Sequence, residues 1–206
     1  MKGGSVRRDL AIATIALMLA STACAPRAMR GGEGTENPSM DQPAMSTQLD
    51  KKDIDYLVEQ NLDALWNSRF WAGEIRATPK QEVFAIWPIQ NATSEHLDDQ
   101  MLTLLSSIET SLINTGEVQV VARARQAELA REIGVQQGGI YDQSKAALIG
   151  RQVGAKYFVT GKLTNVDEKI QNTRRVQYSL FLQVIEIETG YVKFQNETAR
   201  SKALKR

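Results

Sequence analysis

The chain has 206 residues, 42% of them hydrophobic and 24% charged, with 25 Lys and Arg against 24 Asp and Glu. A formal net charge of +1 gives no electrostatic basis for general nucleic-acid binding. One His and one Cys cannot furnish a zinc site of the usual kind, and the length suits a single domain with a tail.

The chain starts with basic residues, Lys2, Arg7 and Arg8, followed by a run from Leu10 to Ala20 that is apolar except for Thr14, and then by the small residues Ser21, Thr22 and Ala23. A charged region, an apolar region and small residues at a cut site describe an export signal. As a helix the apolar run is about 17 Å long, too short for a hydrocarbon core of roughly 30 Å, so residues 1–23 read as a signal peptide. The stretch Ser21-Thr22-Ala23-Cys24 resembles a bacterial lipobox, with Ser21 where leucine is usual. The resemblance implies cleavage before Cys24, a diacylglyceryl group on its sulfur and acylation of the new amine. An ordinary cleaved signal with an incidental cysteine is the alternative. A lone thiol forms no internal disulfide, and two or more acyl chains give stable anchoring at about 0.8 kcal/mol per buried CH₂. Ala25 after the cysteine, by resemblance to enteric lipoproteins, implies the outer membrane, with the domain facing the periplasm.

Residues 24–50 read as a flexible lipidated linker. The segment holds Pro26, Pro38 and Pro43 with Gly31, Gly32 and Gly34, and shows no apolar period; such a segment cannot bury enough surface to offset its ordering entropy. Fully extended it reaches at most about 85–95 Å.

A globular domain is expected over 51–206. Ile54, Leu57, Val58, Leu62, Leu65 and Trp66 repeat at helical spacing, with Asp53, Asp55, Glu59 and Asp63 assigned to the other face. The stretch "EVFAIWPI" reads as a strand ended by Pro88. Leu97, Met101, Leu104, Leu105, Ile108 and Leu112 then mark a second helix, stopped at Asn114-Thr115-Gly116. "VQVVA" reads as a short strand. Helical segments are expected from about Arg123 to Ile133 and from Ser144 to Val153, each closed by a glycine, Gly134 and Gly154. "KYFVTGKL" reads as a third strand. Strict alternation of Val176, Tyr178, Leu180, Leu182 and Val184, a turn at Glu188 to Gly190 and the return "YVKFQNE" make a C-terminal β-hairpin. The order implies an α/β or α+β domain with a single mixed β-sheet packed with helices.

No catalytic constellation emerges. His96 is the only histidine, reads as a solvated first-turn residue, and has no G-x-S-x-G beside it to serve as base. Gly161-Lys162 lies inside a strand and Gly138-Gly139 in a loop, neither in P-loop order. Asp98 and Asp99 are consecutive on a helix, about 100° apart, so they form no carboxylate pair; their place near the helix start is electrostatically favourable. Glu186 and Glu188 share a strand face at the hairpin end. The expectation is a protein that is not an enzyme, with no cofactor and no metal.

Five stretches in order, "FAIWPIQNATSEHLD", "LINTGEVQVVAR", "ELAREIGVQQGGIYD", "IGRQVGAKYFVTGKL" and "YSLFLQVIEIETGYVKF", below a lipobox, resemble the Lpo-type lipoprotein activators of class A penicillin-binding proteins. The resemblance covers roughly Asp53 to Asn196, and Phe194 departs from it where tryptophan is expected. It implies a domain similar to the N-terminal domain of TolB, placement in the outer membrane, and stimulation of a peptidoglycan synthase. A non-enzymatic envelope binding or assembly module of the same fold is the second reading. Arginine and aromatics are enriched at binding hot spots, so Arg123, Arg125, Arg151, Trp71, Trp87 and Tyr141 are the candidate partner contacts; a solvated or packing role is the commoner one for each, and Trp87 can simply complete the core.

Overall fold

The computed structural model describes residues 27–30, 42–44, 46–124 and 143–205. In chain order the elements are β1 (Arg27–Arg30), β2 (Gln42–Ala44), α1 (Lys51–Trp66), a π-helical turn (Trp71–Ile75), β3 (Glu82–Ile86), β4 (Gln90–Asn91), α2 (Asp98–Asn114), β5 (Val118–Val120), α3 (Gln143–Val153), β6 (Tyr157–Ile170), β7 (Thr173–Glu186) and β8 (Val192–Lys205).

α1 starts at a capping box. The Asp50 side chain accepts hydrogen bonds from the Lys52 and Asp53 N–H groups, and the Asp53 side chain accepts one from the Asp50 N–H. The apolar stripe read from the sequence is the buried one: Ile54, Leu57, Val58, Leu62 and Leu65 are at most 3% exposed. Asp53 is a correction. It is fully buried rather than solvated, because it faces a buried lysine described below.

The strands form one mixed sheet in the order β2-β1-β8-β7-β6-β3-β5, with β4 also on β6. β3 runs parallel to β5 and β6, and β4 runs parallel to β6. These parallel neighbours are joined through helices, whereas the hairpins β6–β7 and β7–β8 are antiparallel. Pro88, which cannot donate to a ladder, separates β3 from β4. Ile86 lies opposite Val159 and Gln90 opposite Lys162, four residues against three, so the chain bulges at the proline and resumes pairing.

The two faces of the sheet carry different cores. Val176, Tyr178, Leu180, Leu182 and Val184 of β7 pack with α1 and α2 on one face. Ala85, Trp87, Phe158 and Ile187 pack with Ile149 of α3 on the other. Gly154 adopts φ +70° after α3 and Gly190 φ +72° in the last hairpin, the left-handed conformations a side chain resists.

Three features differ from the sequence expectation. The segment read as a linker contributes β1, paired with Lys202–Lys205 of β8, and β2, paired with β1. Leu49, also inside that segment, is buried in the core. The third strand runs on past Leu163 to Ile170 and turns at Gln171-Asn172 into β7. Arg123 and Ala124 are helical; the rest of the helix expected to Ile133, Gly134, Gly138-Gly139, the signal peptide and Cys24 lie outside the described residues.

Candidate interaction surface

α1 and α2 lie side by side on one face of the sheet and leave a groove of about 740 Å³ between them. Asp55, Glu59 and Asp63 line one wall at i, i+4 and i+8, hence on one stripe of α1. The facing wall on α2 carries hydroxyls: Thr103, Ser106, Ser107, Thr110 and Ser111. Thr103 donates to the Asp99 carbonyl at 2.9 Å and Ser106 to the Leu102 carbonyl at 2.9 Å, which satisfies those hydroxyls within the helix. Val58, Trp66 and Leu102 supply apolar surface, and Leu102 is 59% exposed.

The acidic wall is held in place from behind. Lys202 of β8 is fully buried, and its ammonium pairs with Asp53 and with Asp50 at 3.0 Å and donates to the Gln48 carbonyl. Arg200 lies 4.2 Å from the Tyr56 ring centroid and 4.0 Å from Asp53. Two turns beyond Asp53, buried Asn61 donates to the carbonyls of Leu57 (2.8 Å) and Leu180 (3.2 Å) and accepts from Asn196 (3.1 Å). Polar contacts at two levels thus fix α1 on β7 and β8.

Four titratable groups elsewhere are shifted by their surroundings. Burial pushes the Tyr157 phenol up to about 12, and its hydroxyl donates to Glu74 at 3.1 Å. Burial raises the Tyr178 phenol well above its ordinary range, and its hydrogen bond to Glu95 adds to that. Burial lifts the Glu74 carboxyl, but Lys193 and Tyr157 together outweigh it and hold it below the ordinary range. The Trp71 indole N–H and the Arg76 guanidinium hold Glu117 low as well. These carboxylates are charged and these phenols neutral across physiological pH. His96 is exposed and pairs with Asp98 at 3.0 Å. Among the described residues no group of His, Cys, Asp and Glu converges as a metal site, and no helix is long and apolar enough to cross a membrane.

The structure does not gather the sequence-derived contact candidates. Trp71 is fully buried, 5.9 Å from the Phe84 ring, with its N–H on Glu117. Trp87 is 2% exposed and packs edge-on to Phe158 at 5.1 Å. Neither indole has surface to offer a partner; both fill the two cores, one on each face. Arg123 is half-buried and tied to Glu109 (2.7 Å) and Ser106 (2.8 Å) on α2. Arg151 is exposed in the last turn of α3. Arg125 and Tyr141 lie outside the described residues. The groove itself was missed, although its signal was present: three acids at four-residue spacing on one predicted helix and a Ser/Thr stripe on the next.

Among the described residues, a single mixed sheet with two helices on one face, a groove between them and a third helix on the other face defines an α/β domain. Residues 53–199 match the family described as peptidoglycan-synthase activator LpoB, and the chain belongs to that family. Among solved structures, the NMR structure of E. coli LpoB is similar at 17% identity and a TM-score of 0.50, over 84% of this chain and 79% of that one. The LpoB C-terminal domains from Salmonella enterica and E. coli match at 18% and 19% identity, each with a TM-score of 0.46, over 72% of this chain and 95% of theirs. A comparison with curated proteins finds no match.

Proposed function

We propose that this protein is a lipoprotein, anchored through acylated Cys24 in the outer membrane and facing the periplasm, that binds a class A penicillin-binding protein and raises its peptidoglycan synthesis without itself making or breaking bonds. The observation that carries the reading is the family match over residues 53–199, most of the domain expected over 51–206. An activator needs only a surface that fits the active state of its partner better than the inactive one. A tenfold difference in that fit corresponds to about 1.4 kcal/mol, within reach of a few contacts.

Two measurements test the proposal. Mass spectrometry of the N-terminus purified from cells is expected to show a triacylated Cys24. Immobilised full-length protein is expected to retain a purified class A synthase from the same bacterium. An unmodified Cys24 refutes the anchor; failure to retain any such synthase refutes the partner.

A further inference from the structure

We propose that the groove between α1 and α2 is a docking site for a basic, amphipathic helix of a protein partner. The proposal deepens the activator reading by naming a surface and the chemistry of what it takes, and it rests on that reading only for the identity of the partner.

Charge is the first ground. Asp55 is paired with Lys51 at 2.7 Å, but among the described residues nothing pairs with the Glu59 or Asp63 side chains. Several acids elsewhere on the described surface, Glu109, Glu117, Asp167 and Glu168, each hold an arginine. The groove wall thus presents two unpaired carboxylates four residues apart, with Lys51 of the same groove engaged on Asp55. Apolar surface is the second ground. Leu102 stands 59% exposed beside that wall. A partner presenting apolar surface with cations next to it covers the leucine and the carboxylates together.

Spacing selects a helix as occupant. Residues four apart on α1 are about 6 Å apart along the axis, and Lys or Arg at i and i+4 on a docked helix repeat at the same interval. A third helix laid over two neighbours packs ridges into grooves, placing apolar residues on Leu102 and cations on Glu59 and Asp63. This is helix-in-groove recognition. An anionic membrane surface is repelled by the same carboxylates.

The test uses the full-length protein in its own bacterium, with the photocrosslinker p-benzoylphenylalanine at Leu102 and, as a control on the opposite face, at Leu148. The Leu102 adduct is expected to map to a protein segment with Lys or Arg at i, i+4 spacing on one helical face. Glu59→Lys with Asp63→Lys is expected to reduce that adduct at least tenfold, and the near-isosteric Glu59→Gln with Asp63→Asn several-fold. Gln152→Glu on α3 is expected to leave it unchanged, with thermal melts of all variants confirming the fold. An adduct to lipid, to a second copy of this chain, or to a segment without a basic face overturns the proposal. So does the absence of an adduct, or an adduct indifferent to both double variants. An adduct to a basic helix of a protein other than a synthase upholds the groove and refutes the activator reading; a synthase stimulated equally by the double variants does the reverse.

Discussion

Replacing Lys202 with methionine tests how α1 is held against the sheet. The substitution keeps the apolar stem but removes an ammonium that serves Asp53, Asp50 and the Gln48 carbonyl, all from a fully buried position. Asp53, itself fully buried, then keeps the Asp50 N–H and an arginine 4.0 Å away. Removing one member of a buried pair costs about 3–5 kcal/mol, because the other charge is left desolvated. Arg200 compensates in part, so the lower end, about 3 kcal/mol, is expected. For a domain of this size that corresponds to a fall in Tm of roughly 6–12 °C. Urea unfolding followed by circular dichroism measures the change as a shift in midpoint at constant slope. Combining Lys202→Met with Asp53→Asn is expected to recover about 2 kcal/mol, the signature of direct coupling. A single variant within about 1 kcal/mol of the parent would refute the reasoning, since the ammonium would then not be holding the helix.

The remaining expectations concern a strand, an acid and the anchor. A Cβ on Gly161 would meet the Phe181 carbonyl oxygen at 2.0 Å, so Gly161→Ala is expected to cost roughly 1–3 kcal/mol, readable in the same unfolding assay. Glu117 is held below its ordinary value of 4.5 by Trp71 and Arg76; the unfolded chain therefore binds its proton more readily, and its contribution is complete above that pH and lost as pH falls through the folded value. Glu117→Gln is accordingly expected to cost on the order of 1 kcal/mol at neutral pH, with the gap to the parent narrowing in unfolding titrations taken towards pH 3. Cys24→Ser is expected to move the protein from the membrane fraction to the soluble periplasmic fraction, scored by fractionation.

The parts of the fold legible in the sequence are those where one face is greasy and the other wet. The α1 stripe and the alternation of β7 are both carried by residues that end almost fully buried. The turns were legible because Gly116, Gly154 and Gly190 all take positive φ, which the sequence marks with glycine. The second half of β6 was not, because beyond Leu163 its alternation is polar. There the pairing is held by Asp167 with Arg174 and Glu168 with Arg175 across the Gln171-Asn172 turn. An acidic dipeptide on one side of that turn and a basic dipeptide on the other were the available signal. Asp53 was misread for a related reason: its partner Lys202 lies far along the chain, and helical periodicity says nothing about a charge matched from another element. Residue type alone marks Trp71 and Trp87 as contact candidates, and packing claims both.

The central claim is met most directly by measuring glycan-chain polymerisation by a purified class A synthase from the same bacterium, with and without the full-length protein in detergent. The account predicts a several-fold higher rate that saturates with added protein, and no polymerisation by the protein alone. An unchanged rate with each of that bacterium's class A synthases, or synthesis in the absence of any of them, would contradict it.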